Sequence, residues 1–254
     1  MKKLYLLTSV CLLFCFTSCV DIEERYDFKA DGSCNVVYDF DMSRAIAVFK
    51  NIISDSVKQT PQFNLVKDTT MSFLAALPDS LESKLTKDEL ALAANSNLAI
   101  KMDLRKSVMK LNITHTAKNA IDLKYYLEHL AKISMNSQLD AVTKSTQQTR
   151  GFDARQLMAG QDYYQYDVTP HKFYRIIDKV KFNAFLKKTQ NTLVMAKAML
   201  IDMPYKVMLN FAKPVKKVNN PRAIVSADRR HVTLMTNMDD LIKDPTIMDL
   251  KIDF

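Results

Sequence analysis

The stretch Glu24–Ser43, ERYDFKADGSCNVVYDFDMS, decides the fold because it contains two strand patterns and the turn that joins them. Apolar and polar residues alternate along both arms, and a period of two is typical of a strand with one buried face. Ala30-Asp31-Gly32-Ser33 supplies the residues of a turn. The pattern therefore predicts a β-hairpin over residues 23–41. Cys34 falls on its apolar side, which favours a small buried side chain over a reactive thiol.

The segment before the hairpin has the features of a secretory signal, namely a basic start, a short apolar run and small residues before a break. The apolar run is Leu4–Phe16. It is shorter than the roughly 20 residues that a membrane-spanning helix needs. A signal peptide is therefore predicted, and a buried N-terminal helix is the alternative.

The quartet that ends this segment, Phe16-Thr17-Ser18-Cys19, resembles the lipobox of bacterial lipoproteins of the Bacteroidota type. That resemblance implies that signal peptidase II removes residues 1–18 and that Cys19 is acylated, with palmitate among the chains. Cys11 and Cys15 follow bulky residues, whereas Cys19 follows a serine. Cys19 is therefore the predicted lipidation site and residues 19–254 the predicted mature domain. A secreted protein without an anchor is the alternative.

The predicted location is the outer membrane, because several acyl chains hold a protein stably at a bilayer. The acidic run Val20-Asp21-Ile22-Glu23-Glu24 resembles the export signal that follows the cysteine in surface-exposed lipoproteins of Bacteroidota. A strand with outward-pointing acidic residues explains the same run. The anchored domain is therefore expected either at the periplasmic face or at the cell surface.

The charge of the chain is modest and dispersed. The 254 residues carry a net charge of +8, and loss of Lys2 and Lys3 with the signal leaves +6. A nucleic-acid-binding protein usually concentrates its basic residues on one face, so no nucleic-acid partner is expected. The short clusters Lys187-Lys188, 213–217 and 228–230 are interpreted as solvated surfaces, with contact to anionic lipid head groups as the alternative.

The rest of the chain continues the alternation of hairpins and helices. Further strands are predicted at 98–104 and 109–115 about the turn 105–107, at 163–178 about Pro170, and at 205–211, 223–226, 232–236 and 248–254. Helices are predicted from Ser43 to about 54 and over 79–94, 120–139 and 181–200. These elements predict an α+β fold, with an antiparallel sheet built from hairpins and helices packed on one face. The polar stretch 136–161 is a long loop, a hairpin tip or a linker between two lobes.

Three segments support a second resemblance: ERYDFKADGSCNVVYDFDMS, YKVMLNFAKPVKKVNN and RRHVTLMTNMDDL, which begin at Glu24, Tyr205 and Arg229. Together they are similar to the LppM-type domain of bacterial lipoproteins. The resemblance covers about a third of the chain and consists of turn and strand patterns. It implies an α+β domain with a role in lipid binding or in the cell envelope, and it implies no active site.

A search for catalytic motifs finds none. His115, His129, His171 and His231 lack the spacing of a helical zinc site, and no H-E-x-x-H, nucleotide-binding glycine loop or G-x-S-x-G motif occurs. No metal, cofactor or catalytic residue is therefore predicted. The chain has no tryptophan for stacking on a sugar, and its tyrosines at 163, 164 and 166 are more typical of a core. Four methionines are interpreted as core, or as one side of an adaptable apolar groove: Met195, Met199, Met203 and Met208.

Three tripeptides resemble the O-glycosylation sequon of Bacteroidota envelope proteins: Asp55-Ser56-Val57, Asp68-Thr69-Thr70 and Asp79-Ser80-Leu81. The predicted acceptors are Ser56, Thr69 and Ser80. Helix capping by Asp and Ser explains the same residues without any modification. Both interpretations stay open for each of the three sites.

Three functional hypotheses follow, in order of preference. The first is a lipid-anchored, non-catalytic envelope module for binding, adhesion or assembly with protein partners. The second is a binder of a lipid or another apolar ligand, which requires a cavity. The third is an envelope hydrolase, which requires buried carboxylates or histidines in a cleft.

Overall fold

The computed structural model describes residues 20–61, 63–77, 82–135, 163–198 and 202–254 of the chain. The fold is α+β, as the sequence predicts. Twelve described strands form a sheet of eight and a sheet of four. Strands β1 to β12 are Asp21–Phe28, Cys34–Asp41, Val66–Ser72, Ser96–Asp103, Val108–Ala117, Tyr164–Thr169, Lys172–Ile177, Pro204–Phe211, Lys217–Val218, Ile224–Val225, His231–Asn237 and Leu250–Asp253.

Seven helices of the described residues lie between these strands. Helices α1 to α7 are Ser43–Ile52, Asp55–Lys58, Phe73–Ala76, Lys87–Ala94, Ala120–Met135, Lys179–Ala198 and Met238–Lys243. Short 3₁₀ turns span Leu104–Lys106 and Pro245–Met248. The short elements β3, α2, α3 and α7 have weak periodicity in the sequence and were not predicted.

The opening hairpin forms as the sequence predicts. Asp21 pairs with Asp41 at one end of β1 and β2, and Phe28 pairs with Cys34 at the other. Gly32 adopts a φ of 85°, a left-handed value that glycine takes without steric cost. The Asp31 carboxylate accepts hydrogen bonds from the backbone and side chain of Ser33, at 2.9 and 2.6 Å. The turn is therefore fixed by the residues that predicted it.

The large sheet has the strand order β10-β11-β8-β1-β2-β5-β4-β3. It departs from the prediction at one place, because β1 and β8 pair in parallel, with Ile22 beside Tyr205 and Phe28 beside Phe211. The sheet is therefore mixed rather than wholly antiparallel. Sequence periodicity predicts strands but not their order, so the neighbour of β1 was not predictable.

A second sheet, in the order β6-β7-β12-β9, was also not anticipated. It packs on the apolar face of the large sheet, where the rings of Tyr26 and Phe173 lie 5.2 Å apart. Helix α5 covers the same face through Tyr126, whose ring stacks on His115 at 4.3 Å. Residues from both sides of the stretch 136–161, which lies outside the described residues, contribute to this single core.

The helix predicted from Ser43 forms as α1, but the capping role expected of Ser43 is wrong: Met42 is the N-cap residue, and the Ser43 hydroxyl accepts a hydrogen bond from the backbone N–H of Met109 at 3.2 Å. One predicted helix start is also wrong. The helix that ends at Ala94 begins at Lys87 rather than at 79, since Thr86 and Glu89 form a capping box. Residues 78–81 lie outside the described part of the chain.

Candidate functional site

A buried ion pair joins the two sheets. Glu24, on the central strand β1, accepts a hydrogen bond at 2.6 Å from Nη1 of Arg175, on β7 of the small sheet. The side chains are 1% and 0% exposed. Burying one charge alone costs several kcal/mol, so the two groups depend on each other.

Tyrosine hydroxyls complete the coordination of the Glu24 carboxylate. Tyr26 donates to Oε2 at 2.9 Å, and Tyr205 donates to Oε1. Burial and the nearby carboxylate raise the pKa of both tyrosines. They therefore stay protonated and keep donating. The guanidinium of Arg175 lies 4.4 Å from the ring centre of Tyr164, and burial raises the pKa of that tyrosine to about 12.

Several polar atoms around this pair have no hydrogen-bonding partner among the described residues. They are Nε and Nη2 of Arg175 and the hydroxyls of Tyr126, Tyr164 and Tyr166. Buried polar atoms of this kind usually bond to ordered water. The centre of the molecule is therefore a polar cluster inside an apolar core rather than a site with a path to solvent.

A serine–histidine pair is also buried. Ser96 Oγ lies 3.0 Å from Nδ1 of His115 and 2.8 Å from the Leu92 carbonyl oxygen, to which it donates. Burial lowers the pKa of His115. Ser96 is 0% and His115 4% exposed, so a substrate has no access to the serine hydroxyl. The pair serves the packing of β4, β5 and α5.

An open cleft lies at the end of the molecule that carries the first hairpin turn. It has a volume of about 420 Å³ and is lined by residues 28–34, 119–120, 123, 168–171, 211–213 and 254. Its wall is a cluster of three phenylalanines, in which Phe28 stacks on Phe211 at 4.9 Å and contacts Phe254 at 5.1 Å. This volume and this apolar lining are typical of small-molecule sites.

The mouth of the cleft carries more positive than negative charge. Lys29 and Lys213 lie on its rim together with His171. The one carboxylate side chain in the lining, that of Asp31, accepts hydrogen bonds from Ser33, which lower its pKa. Cys34 lies at the base, and burial raises the pKa of its thiol. The thiol is therefore protonated and a poor nucleophile, which agrees with the predicted buried role.

The predicted site residues lie apart from this cleft. Ser56 is exposed on α2. Thr69 lies on β3 opposite Ile100 and is partly buried. Cys19 and Ser80 fall outside the described residues. All three glycosylation sites and the lipidation site therefore stay predictions.

The methionine groove, the alternative to core packing, does not form from the described residues. Met203 is buried in the core, whereas Met208 lies on the opposite, polar face of β8. The side chains of Met195 and Met199 are outside the described part of the chain. The tyrosines at 163, 164 and 166 are 2–5% exposed and belong to the core, as preferred from the sequence.

The Glu24–Arg175 pair was not predicted, although the sequence carries a signal for it. Glu24 falls in phase with Ile22 and Tyr26 on the buried face of β1. Arg175 falls in phase with Phe173 and Ile177 on β7. One charged residue at a buried-face position in each of two strands is the sequence pattern that indicates such a pair.

Across the described segments, no group of three or more acidic, histidine or cysteine side chains is placed to hold a metal ion. Within the same segments, no helix has the length and apolar character to cross a bilayer. Comparison with protein-family models, curated proteins and solved structures found no match. The resemblances to bacterial lipoproteins and to LppM-type domains stay predictions.

We expect Glu24→Gln to lower the free energy of unfolding by about 3–5 kcal/mol, because the buried Arg175 charge loses its counter-ion. Urea denaturation measures the change. The matched control is Glu23→Gln, on the same strand but facing the other side, where its partner Lys206 is 36% exposed. That variant should change stability by at most about 1 kcal/mol. Equal effects of the two variants would contradict the role of the pair.

We expect the protein to lose stability as the pH falls below the ordinary histidine pKa of about 6.5. The lowered pKa of His115 means that the unfolded chain binds this proton more readily than the folded one. The loss therefore begins near pH 6.5 and continues to the lower folded pKa, at no more than about 1.4 kcal/mol per pH unit. His115→Gln should flatten the urea-measured stability between pH 7.5 and 5, and the exposed His231→Gln should not. Parallel curves for wild type and His115→Gln would refute this assignment.

Proposed function

We propose that this chain is a lipid-anchored cell-envelope lipoprotein that acts as a non-catalytic binding module, and that its ligand is an apolar molecule with an anionic end. The cleft beside Phe28, Phe211 and Phe254 carries this proposal. The predicted lipobox supports the anchor and the outer-membrane location. The face of that membrane on which the domain lies is part of the same open prediction.

The shape of the cleft supports an apolar ligand. The rings of Phe28, Phe211 and Phe254 contact one another, yet Phe28 and Phe254 keep part of their surface open to the cleft. A ligand that covers water-exposed aromatic surface is stabilised by about 25 cal/mol for each Å² of apolar surface that it buries. An acyl chain or a comparably slender apolar group fits this surface.

The charges at the mouth support an anionic end. The Lys29 and Lys213 ammonium groups lie at the rim and outweigh the one carboxylate side chain in the lining, the ionised Asp31. A ligand that inserts its apolar part places a carboxylate or phosphate at the level of the two lysines. An assembly role with envelope proteins is the second candidate, and the exposed lysine clusters outside the cleft are the surfaces available for it.

Ala212→Trp should block the cleft, because Ala212 lines the cleft and the larger indole would fill part of its space. We expect the affinity for dansyl-undecanoic acid to fall about tenfold or more, equivalent to about 1.4 kcal/mol. Fluorescence titration of the dansyl group measures it. The matched control is Ala47→Trp, at an exposed position on α1, which should bind as wild type does. Absence of binding to wild type, or equal binding by both variants, would exclude the cleft as an apolar site.

The charge requirement is tested with the same probe. Lys29→Gln combined with Lys213→Gln should weaken binding of the acid about 2- to 10-fold and leave the methyl ester unchanged, since exposed ion pairs contribute at most about 1 kcal/mol each. Equal losses for acid and ester would assign the lysines a structural role. The ligand would then be neutral.

Cys19→Ala should release the protein from the membrane, because the acylated thiol is the proposed anchor. Cell fractionation measures the distribution, and mass spectrometry of the native N-terminus measures acylation. Cys34→Ala is the control, since it removes the other cysteine of the predicted mature chain. Membrane retention of the Cys19 variant, or an unmodified native thiol, would overturn the proposed location.

A further inference from the structure

The folded body begins one residue after the predicted acylated cysteine. Val20 is 0% exposed, and its N–H donates to the Asp202 carbonyl oxygen at 2.9 Å. Neighbouring Cα atoms are about 3.8 Å apart. No free linker therefore separates an acylated Cys19 from the ordered core.

The position of Val20 defines one end of the large sheet, here called the anchor end. Val20 leads into Asp21, which pairs with Asp41 on β2, and Asp41 pairs with Lys110 on β5. The turn Leu104–Lys106, which connects β4 to β5, lies at this same end. The first hairpin turn and the cleft lie at the opposite end of β1. Eight residues at about 3.3 Å each separate the two ends by about 25 Å.

Exposed apolar and basic side chains meet at the anchor end. Val66 pairs with Asp103, next to the turn Leu104–Lys106, and Lys50 Nζ donates to the Arg105 carbonyl oxygen in that turn. Three large apolar side chains beside it are exposed, at 63% for Ile52, 43% for Leu65 and 55% for Val66. We call the set Lys50, Ile52, Leu65, Val66, Arg105 and Lys106 the anchor-end patch.

The anchor-end patch has the chemistry of a membrane-contacting surface. Apolar side chains insert at the boundary between head groups and acyl chains, and nearby cations attract anionic lipid. The Lys106 side chain is 79% exposed, and its ammonium lies 3.5 Å from Asp103 at the edge of the patch. A bilayer that lies directly against this end of the sheet would cover the exposed side chains of Ile52, Leu65 and Val66.

We propose that, because no linker separates Cys19 from the folded domain, the anchor-end patch lies against the bilayer to which Cys19 is attached. The cleft then opens on the side away from that bilayer. The proposal rests on the lipid anchor of the proposed function. It adds an orientation: the cleft takes its ligand from the aqueous side or from a facing surface, not from its own membrane.

The orientation is tested with the lipidated, full-length mature protein reconstituted in vesicles that contain nitroxide-labelled head groups. A fluorophore is placed on Leu65→Cys or on Ile121→Cys, in a Cys34→Ala background. Ile121 is a matched site, because it is an exposed apolar residue, 82% accessible, on the first turn of α5 beside the cleft. The label at 65 should lose about half of its emission or more, since interfacial side chains lie within about 5–10 Å of the head groups. The label at 121 should stay unquenched.

A linker variant tests whether the short connection sets this orientation. Ten Gly/Ser residues inserted between Cys19 and Val20 add a root-mean-square length of about 17 Å. The anchored protein should then lose the difference between the two labels. Equal quenching at 65 and 121 without the insertion, or an unchanged difference with it, would overturn the proposed orientation. A label on Ile52→Cys repeats the test if Leu65→Cys does not fold.

Failure of the anchor is distinguished by a separate readout. Flotation of the vesicles reports whether the protein is attached at all. Protein that fails to float refutes the lipid anchor and with it the orientation, whereas protein that floats with equal quenching refutes the orientation alone. Ligand binding in the cleft is measured independently by dansyl fluorescence and depends on neither result.

Discussion

The ion pair between Glu24 and Arg175 is the interaction on which the two-sheet arrangement depends. It joins the middle strand of the large sheet to the small sheet across 151 residues of sequence. Apolar packing between sheets tolerates sliding by a residue, but a carboxylate that accepts hydrogen bonds from two tyrosine hydroxyls and one guanidinium does not. A buried pair of this kind costs more to desolvate than it returns in attraction unless further hydrogen bonds complete it. Tyr26 and Tyr205 supply those bonds on the carboxylate side of the pair.

This arrangement separates the polar interior from the open cleft. The buried charges, the serine–histidine pair and the tyrosines at 163, 164 and 166 are withdrawn from solvent and hold elements in register. The cleft is lined instead by the phenylalanine cluster, a buried thiol and two surface lysines. Among the described residues, the buried ion pair and the serine–histidine pair are inaccessible to a substrate, whereas the cleft exposes apolar and basic side chains. That division supports our proposal of a binding module.

The sequence was sufficient for the local elements and insufficient for what joins them. Alternation along Asp21–Phe28 and Cys34–Asp41, with glycine at the turn, predicted the first hairpin to within a residue or two. The order of strands was not predictable, because parallel pairing of β1 with β8 leaves no mark on either strand. The edge strand Val66–Ser72 is exposed at alternate residues and carries little apolar signal. The cleft was missed because its walls come from chain segments about 40 to 85 residues apart.

The place of β1 in the sheet has a consequence for how the chain must be made. One neighbour, β2, follows it directly in the sequence, and the other, β8, is the segment Pro204–Phe211 near the far end. One of the two hydrogen-bonding edges of β1 therefore stays unpaired until β8 has been synthesised. Non-local strand pairing of this kind forms slowly. Until it forms, the unpaired edge of β1 can pair with strands of other chains. If the chain is exported as we propose, it reaches its compartment before β1 has paired with β8, so N-terminal processing would precede formation of the native core.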